Sequence, residues 1–353
     1  MTEAVRSVSE RPEDRRWSNY WAQGHVHSLG RAYDGGNYSG SIRDFWQRVF
    51  DTLPEGARVL DICSGNGAVA LLAVDYSSEH QRGLVVDAVD RAEIDPEQAL
   101  GPEVAAAIRF QGGVAVESLP FEADSFDLVT AQYGLEYTDA HTSVPELARV
   151  LRPGGQLAVI HHHPDSHVIR TARAERSLID GLLVADGVLP AVESLLNRLL
   201  RMETRHGMGK PGVTALREDA QAEGARQQLN QAVARLERLG GQQPGAAPLL
   251  AEILGRLRAL LGQMGRQPAE QLCRELQSLH QDYQGNAERL GDLLGCRMAA
   301  DEYDLSPQLT AAGFECRDAG RLQEMVEQQP LLLGGYWWGS IEGAFCRGVE
   351  GSR

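Results

Sequence analysis

The sequence has no surplus of positive charge. Its 34 Lys and Arg stand against 49 Asp and Glu, a formal net charge of -15. A field of that sign repels phosphate backbones, and short basic groupings such as RPEDRR are interleaved with acids, so nucleic acid is not an expected partner. The five cysteines (63, 273, 296, 316 and 346) contain no C-x-x-C pair. That spacing argues against a zinc site or a disulfide scaffold and for a reduced, cytoplasmic setting. No run reaches the roughly 18 apolar residues of a membrane span. The polar opening MTEAVRSVSERPEDRRW has no apolar stretch of the signal-peptide kind, so none is expected. Internal repeats are lacking, and Gly and Pro interrupt every candidate heptad.

At 353 residues the chain is long for one domain and short for two large ones. Residues 1–16 read as a disordered polar leader. Residues 17–58 follow as an aromatic and helical segment, in which SIRDFWQRVFDTL places Ile42, Phe45, Trp46, Val49 and Phe50 at helical spacing. From 59 to 167 strand and helix patterns alternate: ARVLDIC, GLVVDAVD, AAIRFQGG, SFDLVTAQYG and QLAVIHHH are strands, and RPGG is a turn before the last. Helices between successive strands predict a doubly wound, mostly parallel sheet. Residues 168–299 break the alternation with helical pattern only, including stripes at Leu195, Leu196, Leu199 and Leu200, and at Leu250, Ile253, Leu254, Leu257 and Leu261. Strand pattern resumes over 300–353. The expectation is a seven-stranded α/β sheet whose last strand is antiparallel, with a large helical insertion between strands five and six.

The stretch VLDICSGNGAVAL, residues 59–71, joins a buried strand to a helix through a glycine turn. Two cofactors suit such a turn. A dinucleotide brings a pyrophosphate, which wants bare backbone N–H groups and no carboxylate nearby. S-adenosylmethionine brings a sulfonium and an ammonium, and Asp61 supplies an acid for them.

These residues resemble motif I of the class I S-adenosylmethionine-dependent methyltransferases, hydrophobic-hydrophobic-[D/E]-x-G-x-G-x-G, at Asp61, Gly65 and Gly67. Cys63 stands where the first glycine usually is. The resemblance continues in order through VVDAVD, VESLPFEADSFDLVTAQYGLEY and ELARVLRPGGQLAV. It leaves out residues 1–40 and 168–300. It implies a cofactor site built from Asp61, Cys63, Ser64, Gly65, Asn66 and Gly67, with Asp90 binding the ribose hydroxyls beside Arg91. Gln132 and Tyr133 close the site at the tip of strand four. The family often has an acid before LPF that meets adenine, but this chain has Ala115 there, which leaves the backbone of Val116 or the side chain of Glu117. Residues ahead of motif I fold over the cofactor in many small-molecule members, so Tyr20, Trp21 and Tyr38, with His25 and Tyr33, are expected to form a cover. Simple packing on outer helices is the other reading.

Methyl transfer needs alignment, water exclusion and, for a hydroxyl, a base. His162, His163 and Tyr137 are the candidate catalytic groups at the tips of strands four and five. Consecutive strand residues alternate faces, so HHH does not form a metal site, and all three could instead be structural. The insertion is read as a substrate lid, a homodimer surface, or both. The expected function is methyl transfer to an O or N nucleophile of a small metabolite. An NAD-dependent oxidoreductase, an RNA or protein methyltransferase and a non-catalytic S-adenosylmethionine-binding protein are the alternatives.

Overall fold

The computed structural model describes residues 12–29, 36–296 and 305–342. Residues 1–11 of the expected leader, Tyr33 and Cys346 lie outside these. The described residues form two compact units, one up to Ile169 and from Gly295 onward, the other Arg170–Leu294.

The first unit is a seven-stranded sheet in the order β3-β2-β1-β4-β5-β7-β6. Its strands are β1 (Arg58–Ile62), β2 (Val85–Val89), β3 (Arg109–Gln111), β4 (Phe126–Gln132), β5 (Leu151–His161), β6 (Phe314–Val326) and β7 (Gln329–Ile341). β1 to β5 are parallel, and β7 runs antiparallel between β5 and β6. The chain winds outward from β1 through β2 to β3, then returns to β4 on the other side of β1. That reversal opens a crevice at the carboxyl ends of β1 and β4, where open α/β sheets bind ligands. Ile62 is level with Val89 on one side and Ala131 on the other, so Cys63, Asp90 and Gln132 all emerge at this edge.

Two stretches differ from the sequence expectation. RPGG is not a turn ahead of β5 but an irregularity inside it: Phe126 pairs with Leu151, and the next pair is Leu128 with Gln156. Arg152 secures the bulge through both oxygens of Asp127, at 2.7 and 2.8 Å. The closing hairpin turns where the sequence carries no turn signal: Glu327 and Gln328 take left-handed φ values of 49° and 67° without glycine or asparagine. The usual Asn-Gly hairpin signal is therefore missing from the sequence.

Helix α1 (Pro12–Trp21) takes in residues 12–16, which the charged composition had assigned to a disordered leader. The helix is held by contacts that lie far away in sequence, described below. Helix α2 (Gly40–Asp51) buries Ile42, Phe45, Trp46, Val49 and Phe50 along one face. Trp46 also donates from Nε1 to Gln132 Oε1 at 2.6 Å, tying α2 to the tip of β4. Helix α3 (Ala68–Glu79) follows β1, the short α4 (Pro96–Leu100) and α5 (Pro102–Ala105) lie between β2 and β3, and α6 (Ala140–Val150) precedes β5.

The second unit is built from α7 (His167–Leu183), α8 (Val188–His206), α9 (Lys210–Glu218), α10 (Ala220–Gly241), α11 (Ala247–Leu261) and α12 (Ala269–Gly295). The buried line on α11 is Leu249, Ile253, Leu257 and Leu260, one step round from the stripe read in the sequence. Among this unit's described residues, Val184 and Met208 are the large hydrophobics left exposed; Leu195, Leu196 and Leu199 of the first stripe are buried, while Leu200, Leu250, Leu254 and Leu261 are half-buried. Glu203 is buried there and accepts from Ala269 N–H at 2.8 Å, stabilising the amino end of α12. No helix of the described residues is long and apolar enough to cross a membrane.

Trp46→Ala empties a fully buried site and strands the Gln132 oxygen. It is expected to destabilise the sheet unit by about 3–5 kcal/mol, read from denaturant unfolding followed by circular dichroism.

Candidate functional site

The turn after β1 is left-handed at three positions: Cys63 (φ 50°), Gly65 (52°) and Gly67 (93°). Gly67 caps α3. A side chain at Gly65 would collide with the indole of Trp21, and one at Gly67 with the ring of Phe110. Cys63, by contrast, carries a Cβ into a conformation that costs about 1–2 kcal/mol for an L-residue. Room for that Cβ is left by the segment that follows β4. Gly134, just past β4, packs against Cys63 so closely that any Cβ there would strike the cysteine's own.

Asp61 lies beneath the turn, 1% exposed. It accepts from Thr130 Oγ1 at 2.8 Å and from Ala70 N–H at 3.2 Å, in the first turn of α3. Burial raises its pKa to about 7, against those hydrogen bonds. Asp90, half-buried at the end of β2, accepts from Gly65 N–H and Ala92 N–H, both at 2.8 Å. Burial raises it to about 6. Glu117 accepts from Asp139 N–H at 3.1 Å, while Val116 packs into the core. Asp87, inside β2, is engaged by Arg109 and Arg58, away from the crevice.

The thiol of Cys63 senses this arrangement. Burial pushes its pKa well up, and the charges acting further in that direction are all carboxylates: Asp90, Glu136, Glu117 and Asp61. Ser64 donates its hydroxyl to Gly65 O at 3.2 Å.

Asn66, fully buried, fixes what lies over the turn. Its Nδ2 donates to Trp21 O (3.0 Å) and His25 O (2.8 Å), and its Oδ1 accepts from Asp95 N–H (2.8 Å). At the other end of α1, Asp14 accepts from Arg91 Nε with both oxygens, at 2.9 and 3.0 Å. Ser18 Oγ takes the N–H of Glu93 at 3.0 Å. Trp17 and Trp21 stack at 5.8 Å, Tyr20 meets both edge-on, and His25 stacks on Tyr20 at 4.2 Å. An aromatic layer is thus clamped onto the glycine turn. Tyr38 is not in it; its ring pairs with His27. Asp14 and Trp17 were not singled out in the sequence, although Trp17, Tyr20 and Trp21 share one helix face by their i, i+3, i+4 spacing.

At the tips of β4 and β5 the three histidines diverge. His161 packs against Gly335 of β7, and its Nδ1 lies 2.8 Å from His162 O. His163 Nδ1 accepts from Asp165 N–H at 3.1 Å. His162 turns inward and stacks on Tyr133 at 4.5 Å, and burial lowers its pKa to about 3. Tyr133 is itself left-handed, at φ 52°. Tyr137 meets Trp17 edge-on at 5.9 Å. Glu136, in the short 3-10 turn Leu135–Tyr137, is buried beside His162 and accepts its backbone N–H at 2.9 Å. Burial raises the Glu136 pKa to about 7.

The sequence profile of the ubiE/COQ5 methyltransferase family matches residues 22–178, from the aromatic segment to the first turns of α7. That stretch carries the central strands and the glycine turn, so the sheet unit is similar to a methyltransferase core. Among its relatives is the ubiquinone/menaquinone biosynthesis C-methyltransferase of Azotobacter vinelandii, 32% identical over 40% of this chain and 59% of that one. The 2-phytyl-1,4-naphtoquinone methyltransferase of Synechococcus elongatus is 34% identical over 36% of this chain and 58% of that one. The chain therefore spans less than two thirds of these relatives. Among solved structures, a geranyl diphosphate methyltransferase in complex with GPP and sinefungin overlaps 43% of this chain and 66% of its own, at 17% identity and a TM-score of 0.34.

The cofactor that the glycine turn was expected to hold is S-adenosylmethionine. The donor set fits its charges: the carboxylates around the turn oppose a pyrophosphate and suit a sulfonium and an ammonium.

Asp61, Asp90 and Glu136 all hold protons more tightly when folded than the usual carboxylate. Their contribution to stability is fullest below about pH 4 and is lost as pH rises through about 6–7, while His162 acts in the opposite sense. Asp61→Asn removes one titrating group. Thermal melts at pH 5 and pH 8 are therefore expected to show a larger fall in Tm for the wild type than for this variant.

Proposed function

We propose that this chain is a methyltransferase of a small aromatic acceptor, a hydroxylated ring of the quinol type, with carbon as the atom methylated. The observation that carries the reading is the ring of carboxylates around a left-handed glycine turn, roofed by Trp17, Tyr20 and Trp21. Such a site binds a cationic nucleoside and keeps water from it. Asp90 holds the ribose, beside Arg91, whose guanidinium anchors the roof through Asp14. Ser64, Gly65, Asn66 and Gly67 shape the turn, Asp61 holds its underside in place, and Cys63 lines it without acting as a nucleophile. The loop of Val116 and Glu117 takes the adenine end. Tyr133 and Gln132 face the side where the acceptor enters.

When bound, the cofactor supplies an already electrophilic methyl group, so the protein's own task is alignment, exclusion of water and proton handling. Carbon is preferred to the O or N acceptor expected from the sequence because the Azotobacter relative is named as a C-methyltransferase of quinone biosynthesis and the Synechococcus one for a naphthoquinone. The oxidoreductase alternative is disfavoured by the same carboxylates, which leave a pyrophosphate without a cation.

Calorimetry with S-adenosylhomocysteine is the decisive measurement. The wild type is expected to bind it and Asp90→Ala to bind it at least ~10-fold more weakly, the loss of charged hydrogen bonds to the ribose. Tight binding of NAD, with none of S-adenosylhomocysteine, would sink the reading.

A further inference from the structure

Three buried polar atoms at the tips of β4 and β5 have no hydrogen-bond partner among the described residues: Gln132 Nε2, Glu136 Oε2 and His162 Nδ1. Interior polar atoms are rarely left this way, because each forfeits its water without replacement. All three belong to the edge where the sheet reverses, the place where open α/β sheets bind ligands. Glu136 is central to them. Its side chain is fully buried, one oxygen accepts from His162 N–H at 2.9 Å, and the other has no donor among the described residues. Two residues before it, Gly134 touches Cys63 of the cofactor turn. One residue after it, Tyr137 meets Trp17 of the aromatic roof at 5.9 Å. The carboxylate is therefore held between turn and roof.

We propose that Glu136 is the catalytic base: its open Oε2 accepts the proton of a ring hydroxyl on the acceptor. This rests on the methyltransferase reading above and adds to it both the base and a requirement for a free O–H on the acceptor. His162 is the positioning partner. It fixes Glu136 through its backbone N–H, and its ring, stacked on Tyr133, offers Nδ1 to a second polar group of the acceptor. The candidates singled out in the sequence suit the role less well. His163 is engaged by Asp165 N–H, and burial keeps His162 neutral and weakly basic. Burial gives Glu136 a pKa near 7, the strength at which a base is both ionised and effective at neutral pH.

The electron count closes without an oxidant. The acceptor's O–H bond breaks and its proton passes to Oε2. The electron pair moves through the ring to the carbon that forms the new bond to methyl, and the pair of the methyl–sulfur bond stays on sulfur. The hydrogen on the substituted carbon then leaves as a proton to solvent, while Glu136 returns its own proton to the oxygen.

The test compares wild type, Glu136→Gln and Glu136→Asp, each with S-adenosylmethionine and 1,4-dihydroxynaphthalene under anaerobic conditions, following S-adenosylhomocysteine release. The glutamine keeps an oxygen for His162 N–H and loses only basicity. Its turnover is expected to fall at least ~100-fold, its S-adenosylhomocysteine affinity to stay within about threefold of wild type, and the aspartate to recover part of the rate. In the wild type, calorimetry should show 1,4-dihydroxynaphthalene binding at least ~10-fold tighter than 1,4-dimethoxynaphthalene, which has no proton to give. Unchanged turnover in Glu136→Gln overturns the proposal. So does equal affinity of the wild type for the two naphthalenes, or a wild type that binds S-adenosylhomocysteine but neither naphthalene. A wild type that fails to bind S-adenosylhomocysteine overturns the methyltransferase reading itself.

Discussion

The left-handed backbone between β1 and α3 is the constraint on which the rest of the sheet unit depends. It turns the chain from the central strand into a helix within a few residues, and it does so with no side chain at Gly65 or Gly67 because Trp21 and Phe110 occupy that space. Cys63 has to adopt the same left-handed geometry with a Cβ in place. That Cβ is accommodated by the lack of one at Gly134, which lets the segment after β4 come up close against the cysteine. One substitution within the motif is thereby coupled to one glycine about seventy residues away.

The same turn gathers carboxylates that electrostatics alone would keep apart. Asp61 and Asp90 tolerate burial because backbone and hydroxyl donors are aimed at them: Ala70 N–H and Thr130 for one, Gly65 N–H and Ala92 N–H for the other. Those bonds only partly offset desolvation, so both acids hold protons into the neutral range. The result is a site whose unmet need is for positive charge. Asn66 adds the mechanical element, since a single buried amide clips α1, the segment after it and the loop ahead of Pro96 to the turn.

The helical unit follows a different logic. Its helices bury leucine lines against one another, and an internal carboxylate, Glu203, satisfies the start of its longest helix. The family match ends within α7, so nearly all of this unit lies outside it.

The sequence by itself determined the sheet, its parallel alternation, the antiparallel closing strand and the place of the glycine turn between β1 and α3. Those features are written in local periodicity and in spacings of a few residues, which neighbouring side chains enforce directly. Tertiary structure alone decided that Asp14 and Trp17 join a roof, because what holds α1 is Arg91 and Asn66, far away in sequence. It also decided that RPGG lies inside a strand, through Asp127, and that the hairpin turns at Glu327 and Gln328 without a glycine. Asp61, Asp90 and Glu136 look alike as letters. Their surroundings set them apart: two are engaged through both oxygens, and only Glu136 keeps a buried oxygen without a donor. Burial and hydrogen-bond partners are properties of neighbours brought together by folding, and for that reason the chemistry of an acid cannot be read from its place in the chain.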